Sequence, residues 1–566
     1  MRNRLLSVLF LSLALPAQAD EGMWLYSQPP LRKLEQRYGF KPDQAWLEHL
    51  QKSSLRFNNG GSGAMVSADG LVLTNQHLAS AFVPDPEAGF YAPRRGQERR
   101  CPGLELDELE SIEDVTRTVG GAAAGPSRER VIADLEKGDA QVVSLGDSPR
   151  RYLLYRYHRY TDVRLVFAAE AQAAFYGGTL DNFEYPRTSF DVAFFRVYEG
   201  GRPAHPKHYL SWGRSHPGEL VLVSGAPAAS DRLATIAELE EKLPANIELY
   251  QGRAQVLLDY ARLGKVQARE VRQDLFVLQN TLKALRCRLK ELTSRAPSAP
   301  RRPVATEPLA RYRQLSKGLA FNTVLFNRAR RLVHNHGSGP LRRSDLDLEL
   351  ESWKLSQSLA AMRRLLGGRD PLVAAILAGE SPGKRARELI RSDEQMIALV
   401  RRVEPAARLA QQQMEAHQVD RRAALSLGYP EPNFTLRLSF GQRLGYQGLD
   451  DHTTFADLFR SADRHHGQSP YQLAPRWKAA RPRLTPETPL DFATTADVAG
   501  GSYGSPVVNR QGKLVGLIFD VNRAACAWDF LYTEQNARSL AVDFSCVLEA
   551  LAQVYHCPEL LRELSR

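Results

Sequence analysis

A long stretch with helical periodicity lies between two segments that are rich in strand signals. From about Asp231 to Ala424, leucine, alanine, glutamate, arginine and glutamine recur at helical spacing, and strand signals are almost absent. The spacing is seen in Leu275, Leu278, Leu282, Leu285 and Leu289. Short apolar runs bounded by turn residues precede and follow this stretch, as is typical of strands. We therefore predict an α+β fold in which a helical domain is inserted into a β domain.

The same change of pattern sets the predicted domain boundaries. A chain of 566 residues is longer than one ordinary domain. We predict a signal peptide over residues 1–19, the first part of a β domain over 20–230, an inserted helical domain over 231–430, and the second part of the β domain over 431–566. The polar segment from Leu106 to Lys137 is predicted to be a helical insertion within the first part.

The N-terminus has the composition of a secretory signal. Two arginines precede an apolar run from Leu5 to Leu15, and small residues follow at Ala17 and Ala19. The alternative is a transmembrane anchor, but this run is too short to cross about 30 Å of hydrocarbon, and no later segment is long enough either. We therefore predict a periplasmic or secreted protein whose mature chain begins at Asp20.

Charge and cysteine content bear on the class of function. The formal net charge is +11, but lysine and arginine are mixed with acidic residues along the helical stretch, as on solvated helix faces. No nucleic-acid-binding module is evident, and neither CxxC nor HExxH occurs, so we predict no nucleic-acid partner, no metal and no other cofactor. Five cysteines allow at most two disulfides. They are Cys101, Cys287, Cys526, Cys546 and Cys557.

Two candidate catalytic residues stand at the ends of predicted strands. Ala64–Val66 and Leu71–Thr74 are short strands around an Asp69-Gly70 turn signal, and His77 follows the second strand, where a side chain can project from a rigid base. Asp191 stands at the head of an apolar run that is also typical of a strand. Taken alone, such a histidine is more often a surface or core residue, and such an aspartate is more often a cap or turn residue.

The third candidate segment is a glycine-rich turn near the C-terminus. Gly500, Gly501 and Gly504 surround Tyr503, and glycine at this density indicates backbone that turns sharply with free N–H groups. A hairpin is predicted directly after it, with apolar runs on both sides of a turn over residues 509–512.

Histidine, aspartate and glycine turn follow each other in the chain order of chymotrypsin-like serine proteases. That chemistry needs a hydroxyl that attacks, an imidazole that takes its proton and a carboxylate that fixes the imidazole tautomer. It also needs two backbone N–H groups for the oxyanion. The three segments together therefore indicate a protease-like site.

The chain resembles the bacterial dipeptidyl peptidases of types 7 and 11 over nearly its whole mature length. The matching motifs are Glu21–Trp24, Gly70–His77, Asp181–Arg187 followed by Asp191, Asn433–Gly441 and Asp497–Asn522. The resemblance implies a periplasmic serine exopeptidase that releases N-terminal dipeptides and forms a homodimer. It also implies a chymotrypsin-like double β-barrel, with an inserted helical domain that closes over the cleft. Peptides with a free N-terminus are the implied binding partners.

The resemblance also implies roles for individual residues. His77 is the implied base, and Asp191 is the carboxylate that orients it. Asn182 and Asp520 are implied to hold the α-amino group of the substrate, with Phe183 as a wall of the same pocket. A buried ammonium needs such an anionic acceptor and further hydrogen bonds. The alternative for Asp520 is a turn residue after a strand.

The nucleophile position departs from the family pattern. The family turn Gly-Gly-Asn-Ser-Gly-Ser-Pro corresponds to Gly500–Pro506, so that Tyr503 stands in place of the serine. A phenol carries its oxygen a full ring farther from the backbone, so the implied oxyanion N–H groups of Gly501 and Tyr503 could not serve an acyl group bonded there. Ser502 and Ser505 are candidate substitutes, although a shift of one or two residues in a tight turn redirects a side chain away from the histidine.

Further departures concern the histidine segment and the specificity pocket. Gln76 replaces a family histidine, and Leu78 replaces the cysteine after the catalytic histidine, so one family disulfide is expected to be missing. Val521 stands where type 11 enzymes use an arginine to recognise acidic side chains. We therefore predict a narrower pocket without preference for Asp or Glu. The helical stretch is also shorter than is usual in the family.

Two functions remain open from the sequence. The first is a pseudopeptidase that keeps the amine-recognition residues and captures peptide N-termini, or regulates an active relative, without hydrolysis. The second is a working serine-type dipeptidyl aminopeptidase that uses Ser502 or Ser505 as the nucleophile.

Overall fold

The structure, a computed structural model, describes residues 20–122, 126–145, 151–234, 236–295, 348–403 and 429–565, together with Phe326, Arg328, Ala329 and Val333. The predicted signal peptide, residues 1–19, lies outside the described residues. The same holds for much of the predicted helical domain between residues 296 and 347 and for residues 404–428.

The strands of the described chain form two antiparallel sheets. The strands of the first part are β1 (Trp24–Leu25), β2 (Ser54–Phe57), β3 (Ser62–Met65), β4 (Leu71–Thr74), β5 (Phe90–Tyr91), β6 (Arg99–Arg100), β7 (Leu106–Asp114), β8 (Ala140–Leu145), β9 (Arg151–Tyr160), β10 (Asp162–Ala168), β11 (Ala193–Glu199) and β12 (Arg202–Pro203). The later strands are β13 (Leu220–Gly225), β14 (Arg437–Gln442), β15 (His452–Thr454), β16 (Pro489–Thr494), β17 (Pro506–Val508), β18 (Leu514–Val521) and β19 (Ser539–Asp543).

The helices lie before, between and after these strands. They are α1 (Leu31–Tyr38), α2 (Gln44–Ser53), α3 (Gln76–Ala79), α4 (Thr116–Gly120), α5 (Pro126–Leu135), α6 (Ala171–Ala174), α7 (Gly178–Asp181), α8 (Ile236–Ala261), α9 (Lys265–Glu270), α10 (Arg272–Arg295), α11 (Leu348–Leu366), α12 (Pro371–Leu377), α13 (Pro382–Arg391), α14 (Phe455–Arg464), α15 (Pro475–Ala480), α16 (Phe544–Gln553) and α17 (Pro558–Leu564). The prediction of an α+β fold is therefore confirmed.

The order of the strands shows where the helical stretch enters the fold. The first sheet has the order β5-β10-β11-β4-β3-β2-β7-β9-β8, with β12 beside β11 and β6 beside β10. The second sheet has the order β1-β14-β13-β17-β18-β19-β16-β15. β13 and β14 are neighbours in it, with Leu220 opposite Gln442, although α8 to α13 lie between them in the chain. The helical stretch therefore leaves and re-enters the second sheet at adjacent strands.

Both predicted hairpins are confirmed, and one predicted helix is wrong. β3 pairs with β4, and β17 pairs with β18. Leu106–Asp114, expected to begin a helical insertion, is instead β7, and helices follow only at α4 and α5. Its acidic side chains have strand partners: Asp107 forms ion pairs with Arg56 of β2 and Arg159 of β9. Cross-strand charge pairing, rather than a solvated helix face, accounts for the polar pattern.

Helix α10 carries an apolar face toward α8. Leu278 and Leu282 pack with Leu257 and Tyr260 of α8 in one buried cluster. The side chains of α11, α12 and α13 contribute to a separate core. No helix in the described ranges has the length and apolar character needed to span a membrane.

The glycine turn is held against the first sheet, and this contact positions the site. The backbone N–H of Ser62 in β3 donates to the carbonyl oxygen of Tyr503 at 2.9 Å, and the Ser62 hydroxyl donates to the carbonyl oxygen of Gly501 at 2.9 Å. A Cβ atom on Gly504 would lie 2.0 Å from the carbonyl oxygen of Ser62, so only glycine permits this approach. β3 is paired with β4, the strand that leads to His77.

Candidate active site

His77 and Asp191 are brought together by the pairing of two strands. β4 pairs with β11 so that Thr74 lies opposite Ala193, which places the residues just beyond both strand ends side by side. Asp191 Oδ2 lies 2.6 Å from His77 Nδ1, and Asp191 Oδ1 accepts the backbone N–H of His77 at 3.0 Å. The amide of Asn75 donates to the carbonyl oxygen of Asp191 at 3.0 Å. Asp191 Oδ2 thus orients the imidazole, while Oδ1 and the carbonyl oxygen fix Asp191 against the backbone of His77 and the side chain of Asn75.

The carboxylate also sets the charge preference of the imidazole. Burial by itself lowers the pKa of His77, but the nearby Asp191 carboxylate and its hydrogen bond outweigh burial, so the pKa is raised above its usual value. When the ring is neutral, the Asp191 contact favours a proton on Nδ1 and leaves Nε2 as an acceptor. Across the described ranges no hydroxyl is bonded to Nε2. The predicted base therefore has an unprotonated Nε2 in its neutral form, with no hydroxyl of the described ranges hydrogen-bonded to it.

Some backbone N–H groups of the glycine turn, including the two predicted oxyanion donors, have no acceptor in the described chain. The N–H of Ser502 donates to the carbonyl oxygen of Ala499 at 3.0 Å, and the N–H of Gly504 donates to the carbonyl oxygen of Ile518 at 2.8 Å. By contrast, the N–H groups of Gly501 and Tyr503, the two predicted oxyanion donors, have no such partner among the described residues. Gly501 has a φ of +93°, a left-handed conformation that favours glycine.

The Tyr503 ring lies between the histidine and the second sheet. Its centroid is 5.8 Å from that of His77, with the two rings nearly perpendicular at 78°. The ring also packs against a buried apolar cluster that includes Phe183, Val521 and Cys526. Burial, followed by the charge of nearby Asp520, raises the pKa of the Tyr503 phenol, so the phenol stays protonated near neutral pH.

Neither of the two neighbouring serines presents its hydroxyl to the imidazole. Ser505 is fully buried, and a Cβ atom on Gly225 of β13 would lie 1.8 Å from its hydroxyl oxygen. The Ser502 hydroxyl accepts the backbone N–H of Ala499 at 3.4 Å, and its side chain is almost fully buried. Neither hydroxyl is bonded to His77.

Asp520 is the buried acid at the other end of the site. Its Oδ2 accepts the backbone N–H of Phe183 at 3.2 Å and lies 3.9 Å from Arg187 Nε. Burial raises the pKa of Asp520, and the positive charges of Arg187 and Lys283 only partly oppose this effect. A buried carboxylate in this state gains from a cation placed beside it. Phe183 itself has a φ of +60°, an uncommon conformation that fixes its N–H toward the carboxylate.

Asn182 links this acid to a helix that the sequence did not suggest as part of the site. Its amide nitrogen donates to Asn280 Oδ1 of α10 at 2.7 Å, and its own Oδ1 accepts from Arg187 at 2.7 Å. A cavity of about 210 Å³ lies between these groups. Its lining includes His77, Asn182, Phe183, Asp520 and Tyr503, together with Phe276, Val277, Asn280 and Thr281 of α10. The structure thus brings the predicted base and the predicted amine-binding residues into one cavity.

A comparison with known protein families bears on this arrangement. The sequence pattern of the peptidase S46 family matches residues 19–317 and 384–566, which is well over half of the chain. The chain belongs to the peptidase S46 family. The resemblance inferred from the motifs is therefore confirmed.

Named S46 relatives match over almost the whole length of the chain. The Asp/Glu-specific dipeptidyl-peptidase of Porphyromonas gingivalis is 24% identical over an alignment of 730 positions including gaps, with 100% of both chains covered. Dipeptidyl-peptidase 7 of Phocaeicola vulgatus is 23% identical over 706 residues, with 97% of each chain covered. The crystal structure of Porphyromonas endodontalis DPP11 in complex with the dipeptide Arg-Glu matches with a TM-score of 0.72 and 20% identity. That match covers 96% of this chain and 99% of the DPP11 chain, and it shows that the fold is shared.

The cysteines of this S46 protein form one disulfide in the described structure. Cys287 of α10 is bonded to Cys526, which lies in a short 3-10 helix, Arg523–Asp529, after β18. Cys101, Cys546 and Cys557 are free and buried. No group of three or more candidate metal ligands occurs in the described ranges.

Proposed function

We propose that this S46 protein binds the free N-terminus of peptides and releases few or no dipeptides, because Tyr503 occupies the nucleophile position. The observation that carries the proposal is the placement of the Tyr503 ring against His77, with the Ser502 hydroxyl accepting the N–H of Ala499 and the Ser505 hydroxyl buried against β13. Family membership supports a dipeptide-releasing ancestry. The substitution supports a loss of the chemical step alone.

The geometry around His77 argues against acyl transfer. A nucleophile must lie within about 3 Å of its base, and the oxyanion donors must reach the carbonyl that it attacks. The phenol is neutral, and its ring lies edge-to-face with the imidazole. The free N–H groups at Gly501 and Tyr503 therefore have no serine-bound acyl group to serve.

The opposite end of the cavity supports retained binding. Asp520 offers a buried negative charge, and the side chains of Asn182 and Asn280 line the same cavity. A peptide α-ammonium would add a positive charge beside this carboxylate, whose burial Arg187 at 3.9 Å only partly offsets. DPP11 of Porphyromonas endodontalis has been crystallised with the dipeptides Arg-Glu and Arg-Asp, which supports a peptide as the ligand of this fold.

One observation favours the alternative of a working dipeptidyl peptidase. The His77–Asp191 pair is intact and well oriented, and binding alone would not require it. In that alternative Ser502 must turn from Ala499 toward the imidazole, since the Ser505 hydroxyl is packed against β13. Covalent labelling of Ser502 or Ser505 by a serine-directed fluorophosphonate would identify it.

Calorimetry with two matched peptides tests the proposal. We expect the tetrapeptide Leu-Leu-Gly-Lys to bind without being cleaved, and its N-acetylated form to bind at least about tenfold more weakly, because acetylation removes the ammonium. Asp520→Asn should remove this difference while leaving the fold intact, since the amide keeps the size of the side chain. Release of Leu-Leu by the unmodified protein, or equal affinity for both peptides, would contradict the proposal.

Peptide affinity should also depend on pH in a way that reports on Asp520. Binding needs the carboxylate ionised and the ligand amine protonated. Because burial raises the pKa of Asp520, affinity should fall on acidification at a higher pH than for an ordinary aspartate of pKa 3.8. Affinity should fall again above about pH 8, where the ligand amine loses its proton. Titrations between about pH 4 and pH 9 check both limbs, and both should disappear in Asp520→Asn, because the acidic limb needs the carboxylate and the alkaline limb needs its pairing with the ligand ammonium.

A further inference from the structure

One face of α10 is directed at the cavity and at the segments that border it. The residues on this face recur at helical spacing and are Phe276, Asn280, Lys283 and Cys287. The leucines of the opposite face pack against α8 instead. α10 therefore forms a bridge between the helical stretch and the site, with one face committed to each.

Three non-covalent contacts hold this face in place. The Phe276 ring lies 4.5 Å, centroid to centroid, from the ring of Phe175, and Asn280 accepts from Asn182 at 2.7 Å. Lys283 Nζ donates to the carbonyl oxygens of Thr179 and Leu180 at 2.6 and 2.8 Å. The hydrogen bonds can be exchanged for bonds to water or to a ligand, and the ring contact for one with an apolar ligand group, so these contacts oppose movement of α10 less strongly than a covalent bond does.

The fourth contact on the face is covalent. Cys287 is bonded to Cys526, which follows Asp520 of the site by six positions, and the neighbouring Arg288 forms an ion pair with Asp529. Cys287 is half-buried, whereas Cys526 is almost completely buried. The disulfide thus ties the helix that covers the cavity to the segment that follows the amine-binding acid.

The cavity beneath α10 is small for a peptide ligand. Its volume of about 210 Å³ is smaller than the roughly 300 Å³ at which pockets for small-molecule ligands begin. Aromatic rings from three segments line it, namely those of Phe183, Phe276 and Tyr503. A peptide N-terminus that exceeds this volume can enter only if α10 moves outward, and the disulfide opposes that movement.

We propose that the Cys287–Cys526 disulfide is a redox latch that controls access of peptides to the site. A thiolate of a dithiol reductant attacks the half-buried sulfur of Cys287, and the Cys526 sulfur leaves as a thiolate that takes up a proton. The second thiol of the reductant then displaces Cys287. Two protein thiols and one reductant disulfide result, so two electrons and two protons pass to the protein. The latch rests on the proposed function, because it regulates the same cavity.

Two readouts on the same protein test the latch. Hydrogen exchange of the α10 amides between residues 276 and 287 is measured without any peptide, before and after reduction with dithiothreitol. Association of fluorescently labelled Leu-Leu-Gly-Lys is measured in parallel by stopped flow. We expect reduction to accelerate exchange of these amides, and to raise the association rate at least about tenfold by increasing the fraction of open protein. Unchanged exchange in α10 would overturn the latch.

A variant without the disulfide separates the latch from other effects of the reductant. Cys287→Ser with Cys526→Ser should behave as the reduced protein does, and dithiothreitol should not change it further. If this variant does not fold, the reduced native protein supplies the same comparison. Faster exchange with an unchanged association rate would refute control of access. Faster exchange with no peptide binding in either state would instead refute the proposed function and leave the mobility of α10 demonstrated.

Discussion

Gly504→Ala is expected to lower the free energy of unfolding by roughly 4 kcal/mol or more. The added Cβ would lie 2.0 Å from the carbonyl oxygen of Ser62 and 2.6 Å from the hydroxyl of Thr74, which themselves form a hydrogen bond of 2.8 Å. The backbone of Gly504 has a φ of +84°, which alanine adopts only with strain. Relief of the clash would separate β3 from the glycine turn, where the two sheets meet. Denaturant unfolding followed by circular dichroism measures the effect.

Gly500→Ala is the matched control in the same turn. Gly500 is exposed, and a Cβ atom there would meet nothing within 4 Å. Its free energy of unfolding should therefore stay within about 0.5 kcal/mol of that of the unmodified protein. If both alanine variants have the same free energy of unfolding, the close contact between Ser62 and Gly504 does not stabilise the junction of the two sheets.

The histidine and the aspartate of the site could be predicted because each follows a local pattern. The hairpin of β3 and β4 has a strong turn signal, and its second strand ends just before His77. Asp191 stands before an apolar strand in the same way. The pairing of β4 with β11 then brings His77 and Asp191 into contact. Strand patterns alone do not show that His77 and Asp191 belong to one site, and the family motifs indicated this.

The contribution of α10 could not be predicted in the same way. Its leucine periodicity indicates a helix but not which element covers its other face. Asn280 is one polar residue among many on a long helix, and only tertiary docking places it 2.7 Å from Asn182. The partner of Cys287 lies 239 positions away, and spacing among five cysteines does not identify it. The prediction of a helix at β7 was wrong for a related reason, because one sequence does not show which strands will form ion pairs with each other.

Tyr503→Ser is expected to give a protein that releases N-terminal dipeptides where the unmodified protein releases few or none. The substitution places a hydroxyl at the nucleophile position, next to an imidazole that Asp191 already orients and two N–H groups that are free in the described structure. A complete triad adds about 10³-fold or more over binding and oxyanion stabilisation alone. Fluorogenic dipeptide substrates and fluorophosphonate labelling at position 503 measure the gain.

Tyr503→Ala separates the effect of the hydroxyl from the effect of the lost ring. Both substitutions remove the aromatic side chain from the cavity beside His77 and Val521, but only serine supplies an attacking oxygen. Equal inactivity of the two variants would mean that more than the nucleophile has been lost from this S46 site. Equal activity would mean that a neighbouring serine attacks once the ring is gone. Activity in Tyr503→Ser alone would indicate that the site has every group needed for hydrolysis except the hydroxyl at position 503.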